Sequence, residues 1–215
     1  ISGNGREREL MLSTTENVHL HRDDVGSKIG MWLFLFTELI LFGGMFIVYA
    51  VYRFKFPAQF QLAALELDTF IGTVNTIILL TSSLTIALSI VAIQQGKKYL
   101  SVLLIFATIL LAVVFLVNKY YEWGHKISAG IYPQSEELLK KPQGEIIYFG
   151  LYYVMTGLHA LHVVIGIVVL TIIGMLVARG RINQDAYIHL EAGGLYWHLV
   201  DIIWIFLFPL FYLIT

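Results

Sequence analysis

Cysteine is absent from all 215 residues. That excludes disulfides, iron–sulfur clusters, thiolate copper and covalently attached c-type haem within this chain, and it leaves the redox compartment undetermined. Charge is scarce too. Only 13% of residues are charged against 58% hydrophobic, and the mean hydropathy is +0.76, outside the range of a soluble domain. The net charge is -1 and the basic residues gather into no patch, so nucleic acid is not expected as a partner. No cleavable signal peptide is visible, because the first 27 residues are polar (Arg6, Glu7, Arg8, Glu9, His19, His21, Arg22, Asp23, Asp24) and lack an apolar core. The absent initiator Met implies that residues precede Ile1. Low-complexity tracts, repeats and a soluble domain are also missing.

What is present is a polar arm over residues 1–27 and then five apolar runs, each long enough to cross a bilayer at about 1.5 Å per residue. The runs cover about 28–52, 70–95, 99–121, 146–178 and 195–215. This predicts an all-α membrane protein, a bundle of five transmembrane helices over 28–215. The fourth run is long enough to require tilt or extension past the membrane surface. An odd number of spans puts the termini on opposite sides. The N-terminal arm, Lys97-Lys98 and the Arg179-Gly-Arg181 loop hold eight Lys and Arg against six on the other side, which predicts a cytoplasmic N-terminus and an outer C-terminus. Between the third and fourth spans, Ser135-Glu-Glu-Leu-Leu-Lys-Lys141 has the pattern of a short surface helix with Ser135 as N-cap.

Ionisable and polar side chains inside these runs are costly, about 2.5–3.5 kcal/mol for an Asp at mid-span, and normally face a protein interior. In the first span Glu38 sits near mid-depth, where a carboxylate is either protonated or paired with a donor from another helix. Asn75, Ser82 and Ser89 form a small polar seam in the second span, of the kind that lets helices approach closely. In the third, Asn118 and Glu122 are one turn apart near the helix end, where Glu122 could be half solvated. Tyr148, Tyr152, Met155, His159, His162 and Gly166 share a sector of about 80° in the fourth. At the start of the fifth, Glu191-Ala-Gly-Gly-Leu-Tyr-Trp-His-Leu-Val-Asp-Ile-Ile-Trp204 carries Gly194, Trp197 and Asp201 on one stripe with Phe208 and Tyr212, and His198 and Trp204 at its edges.

The simplest arrangement turns Glu38, His159, His162, His198 and Asp201 inward or toward a partner, satisfying one another. A haem would need one His on each of two facing helices, as His159 with His198 would provide. Interhelical hydrogen bonding is the plainer role. Glu38 is either a proton-relay carboxylate or a structural buried acid. His198 with Asp201 resembles an acid–base pair, but no nucleophile or substrate pocket can be named beside it. Trp197 and Trp204 read as packing or interface aromatics. Gly43-Gly44 and Gly193-Gly194 read as close-contact or helix-entry positions.

The motifs Thr37-Glu38-Leu-Ile-Leu-Phe-Gly-Gly, Asn75-Thr76-Ile-Ile-Leu-Leu-Thr-Ser, Tyr120-Tyr121-Glu122, Thr156-Gly157-Leu-His159-Ala-Leu-His162-Val163 and Glu191 to Trp204 fall in order, one per span. Together they resemble cytochrome c oxidase subunit III, in a short five-helix form. The resemblance implies a non-redox accessory subunit of a proton-pumping haem-copper terminal oxidase that reduces oxygen to water in aerobic respiration. Haem and copper would reside in partner subunits and none in this chain, with no catalytic residue here. Oxidase subunits I and II and phospholipids would be the partners, with a larger respiratory supercomplex as a further one, and the subunit would help sustain proton uptake. Glu38, Asn75, Glu122, His159, His162, Glu191, Trp197, His198, Asp201 and Trp204 would serve as buried structural groups or as lipid and subunit contacts. A multi-pass position in a bacterial inner membrane is expected in preference to the mitochondrial one. The longer family form has two further helices bordering a lipid-filled cleft, which this chain lacks, and residues 133–144 look like an insertion expected to touch a partner. The third subunit of a quinol oxidase and an accessory subunit of a nitric oxide reductase would share these spans. More distant readings are a membrane cytochrome b and a small transporter, though the spans show no convincing inverted repeat.

Overall fold

The computed structural model describes the backbone of residues 3–184 and 186–214, and side chains over 29–184 and 186–214. The polar side chains of the expected N-terminal arm and Thr215 therefore lie outside the described residues. Among the described residues seven helices follow in order: α1 (Gly3–Lys55), α2 (Pro57–Ala64), α3 (Thr69–Gln94), α4 (Lys98–Ser128), α5 (Glu136–Leu139), α6 (Gln143–Ala178) and α7 (Ile188–Tyr212). Five segments among the described residues are long and apolar enough to cross a membrane: Ile29–Lys55 within α1, and the whole of α3, α4, α6 and α7. The fold is thus the all-helical five-span protein that the apolar runs predict, with two boundaries moved. α4 runs seven residues past the expected end and α7 begins seven residues earlier than expected, because each carries a polar turn that hydropathy alone assigns to a loop.

Local sequence explains where the helices start and stop. Asp68 caps α3, its carboxylate accepting from the backbone N–H of Phe70 at 2.9 Å and of Ile71 at 3.2 Å. Ser135 caps α5 by accepting from the Leu138 N–H at 3.2 Å. The ends of α3, α4 and α6 repeat one device. Gly96, Gly130 and Gly180 take positive φ of 73°, 75° and 75°, and the next residue's N–H reaches back to Ala92, Lys126 and Leu176 respectively, which is the Schellman closure. The α2 helix was not foreseen. Its signal is Pro57 at the first helical turn.

The chain divides into two compact units, Ile1–Ile40 and Leu41–Thr215. The first is the earlier part of α1. In the second, α3 packs on α4, α4 on α6, α6 on α7 and α7 on α3, which closes a ring of four helices. The α1 residues of this unit lie along α6 and α7, with Phe42 edge-on to His162 at 5.4 Å and Tyr49 edge-on to Phe211 at 5.2 Å. α7 is the most enclosed span, 56% of its apolar window being buried. Close approach to α6 requires Gly166, where an added Cβ would lie 2.7 Å from the Trp197 ring, and close approach to α3 requires Gly72, where it would lie 2.8 Å from Phe208 and Tyr212. Gly193-Gly194 are close-contact positions as expected, whereas a Cβ at Gly43 or Gly44 would meet nothing within 4 Å.

The 129–142 connection is tied down within the chain. Leu138 is buried, the Gly144 N–H donates to Gln59 of α2 at 2.6 Å, and Lys141 pairs with Glu66 and, at 3.3 Å, with Glu145.

Candidate functional site

The polar seam of α3 lines one wall of the ring. Asn75, Ser82 and Ser89 are all fully buried. Asn75 Oδ1 accepts from Asn118 Nδ2 of α4 at 2.9 Å, and Ser82 Oγ accepts from the Trp197 indole N–H of α7 at 3.0 Å. Ser89 donates to its own helix at Ile86, so it serves close approach and not cross-linking. Next to Asn75, Thr76 Oγ1 accepts from the Trp204 N–H at 3.1 Å. Both tryptophans, spent on packing and on a bond to α3, are fully buried.

At one end of the ring lies a closed ionic group. Lys119 of α4 donates to Glu122 Oε2 at 3.1 Å, to the Tyr152 hydroxyl at 3.1 Å and to the Tyr212 hydroxyl at 2.6 Å, which uses all three ammonium protons. The two tyrosines in turn donate to Glu122 Oε1, Tyr152 at 2.5 Å and Tyr212 by a short bond. Aromatic faces complete the cage, with the ammonium 4.9 Å from the Tyr152 ring and 5.2 Å from that of Trp204. Three helices are thereby tied at one point, and every charge in the group has an opposite charge and hydrogen bonds.

Glu122 itself corrects an expectation. It is buried, its side chain only 3% exposed, and not half solvated, because α4 continues to Ser128 and carries it into the ring. Lys119 was missed by sequence reasoning. Its signal was available: a lysine one turn before a glutamate in an otherwise apolar run is too costly to be left facing lipid.

In mid-bundle the polar groups are less complete. His159 is fully buried, edge-on to Phe115 at 5.6 Å and 5.3 Å from the Trp204 ring, and neither of its ring nitrogens has a hydrogen-bond partner. His162 is buried, and its Nδ1 lies 2.8 Å from the Leu158 carbonyl of its own helix. The backbone carbonyl of His162 accepts from the Tyr196 hydroxyl at 3.0 Å. His198 turns to α3, its Nδ1 2.6 Å from Ser83 Oγ. Asp201 is buried behind it; Ser83 is its hydrogen-bonding neighbour, yet neither carboxylate oxygen has a closed bond. One Ser83 hydroxyl proton cannot serve both the ring nitrogen and the carboxylate. Glu191 is half-buried in the first turn of α7. Glu38 is half-buried on the part of α1 that belongs to the first unit.

His159, His198 and Asp201 therefore do not satisfy one another as expected, since α6 turns His159 to Phe115 and Trp204 while α7 turns His198 and Asp201 to Ser83 of α3. Among the described residues no cluster of three His, Asp or Glu side chains is placed to hold a metal ion.

Comparison with known proteins gives a consistent result. The family model for cytochrome c oxidase subunit III matches residues 8–215. Cytochrome c oxidase subunit 3 of Thermostichus vulcanus is 31% identical over 201 residues, 92% of each chain. The probable quinol oxidase subunit 3 of Staphylococcus haemolyticus is 30% identical over 188 residues, 87% of this chain and 89% of that one. The haem-copper oxidase subunit I+III of Aeropyrum pernix is 31% identical over 193 residues, 87% of this chain but only 22% of that longer protein.

Proposed function

This chain belongs to the cytochrome c oxidase subunit III family, and from that premise we propose that it is the accessory third subunit of a haem-copper terminal oxidase, holding no redox centre of its own. It docks on the subunits that carry haem and copper, binds phospholipid and sustains proton uptake during turnover. The observation that supports a scaffold role is how the mid-membrane imidazoles are used. His159 is enclosed by Phe115 and Trp204, and His198 faces Ser83, so the two are not opposed across a gap as bis-imidazole ligation needs. Relatives named for cytochrome c oxidase and for quinol oxidase are equally similar, and the electron donor is set by another subunit. The fused subunit I+III relative supports the catalytic subunit as the docking partner.

The excess of Lys and Arg on the side of the Lys97-Lys98 and Arg179–Arg181 turns supports a cytoplasmic N-terminus, read here with a bacterial inner membrane as the site. The closed Lys119 group then lies toward the outer surface. Residues 133–144 sit on that surface too, and their outer side is offered to a partner while Leu138 and Lys141 anchor them.

Mild purification of the complex from membranes tests the reading. Co-migration with a haem-bearing subunit is expected, with a visible spectrum unchanged by His159→Ala. A chain that purifies alone and carries a Soret band lost in that variant would make it a membrane cytochrome b instead.

A further inference from the structure

Ser83 and His198 lie within about two residues of the midpoints of α3 and α7, or about 3 Å along either axis. The hydrocarbon edge is about 15 Å away in each direction. At this depth His198 is only half-buried: Nδ1 is engaged with Ser83 while Nε2 is left accessible at the outer edge of the α3–α7 seam. Its neighbours along that edge, Leu195 and Ile202, are exposed apolar side chains, as are Leu80 and Leu84 on α3. An accessible imidazole nitrogen in hydrocarbon needs a partner. Lipid headgroups do not reach the midplane, so the partner has to be a side chain on another membrane helix.

We propose that Ser83, His198 and Asp201 form a mid-membrane pin that receives a hydrogen-bonding side chain from a transmembrane helix of the oxidase's catalytic subunit. This rests on the reading of the chain as a third oxidase subunit and adds the place and chemistry of docking. Counting protons fixes the sense of the bond. The arrangement that leaves fewest groups unmet has His198 Nδ1–H donating to Ser83 and the Ser83 hydroxyl donating to Asp201, which otherwise has no donor. A neutral imidazole then presents Nε2 as an acceptor, so the incoming group is a donor such as a hydroxyl, amide or indole N–H. Docking draws the relay tight and gives Asp201 its bond. The pin also selects register, because one polar acceptor in an apolar face is met at one depth only.

The test uses the purified complex and three substitutions at one site. Gln places its amide where Nε2 lies and Asn places its amide where Nδ1 lies. In detergent titration, with the ratio of this chain to haem as readout, His198→Leu and His198→Asn are expected to dissociate on the order of tenfold more readily, the worth of one interhelical hydrogen bond, and His198→Gln to stay near wild type. Rescue by Asn and not Gln would mean that the imidazole serves only this chain's own fold and would overturn the proposal, as would full retention of all three variants. A benzophenone side chain at Ile202, one turn away on the exposed edge, gives a second reading that is independent of those substitutions and decides the case where all three dissociate. Cross-linking to the haem-bearing chain is expected, and capture of lipid alone would overturn the pin. If the wild-type chain has no haem-bearing companion at all, it is the subunit III reading that fails.

Discussion

Two polar groups within one helical ring have opposite completeness. Around Lys119 an ammonium, a carboxylate and two phenols exhaust one another's hydrogen-bonding capacity, so the group is finished without any other molecule. Around His198 three polar side chains share too few donors, and one of them reaches the lipid-facing edge. Burial alone does not separate them, since Glu122 and Asp201 are both buried. The difference lies in the count of donors and acceptors, and it teaches that a closed group holds the subunit together while an open one leaves something for a neighbour to complete.

Breaking the closed group should have the largest effect. Lys119→Met leaves Glu122 as a buried anion, and Glu122→Gln leaves Lys119 as a buried cation. Each is expected to destabilise the chain by about 3–5 kcal/mol, as for other buried pairs deprived of one partner. The double substitution should be milder than the sum, because no charge remains unpaired. Sodium dodecyl sulfate titration in mixed micelles measures this, and strict additivity would mean that the four side chains do not act as a unit.

A steric change beside the open group, at the Trp197 that precedes His198, comes next. Gly166→Val would push into the Trp197 ring, 2.7 Å from the position of the first added carbon, and displace the indole from Ser82. Overpacking of this kind costs about 1–3 kcal/mol, and the Trp197 emission should shift with it. The removal of charge there should be smaller still. Asp201→Asn keeps an acceptor for Ser83 and deletes a carboxylate that has no closed bond, so the folded chain should stay within about 1 kcal/mol of wild type in the same titration. A loss as large as that of Glu122→Gln would erase the distinction between the two groups.

Much of this was legible in the sequence, and the limits have physical causes. The spans follow from apolar length, and the bonded role of Asn75 and Ser82 follows from their common helical face. The Thr156–Val163 and Glu191–Trp204 motifs carry the family. Periodicity reports which face of a helix is buried but not which helix meets it, so the pairing of Trp197 with Ser82, and of His198 with Ser83 in place of His159, had to come from the structure. Lys119 escaped because hydropathy averages over a window: one cation among Val, Phe and Leu leaves the mean high. α2 escaped because a short helix lying between spans has no periodic signal long enough to register.

The smallest expected effect lies at the surface, where an ion pair can be compared with the buried one. Lys141 meets Glu66 and Glu145 with its side chain 26% exposed. Partial burial pulls its pKa down, but the hydrogen bonds and charge of Glu66 and then Glu145 outweigh that, and the net shift is upward from 10.5. A lysine with a raised folded-state pKa contributes its full stability below the unfolded value and loses it as pH climbs through the folded one. The contribution of Lys141 should therefore be constant through neutral pH and fade only above about 10.5. Solvent screening holds it to about 1 kcal/mol or less, well under that of Lys119, and salt near 1 M should shrink it further. Thermal unfolding of Lys141→Met beside wild type should show two curves that differ slightly at pH 7 to 9 and converge in alkali. Curves that diverge as pH rises would mean that burial, and not the two carboxylates, governs this lysine.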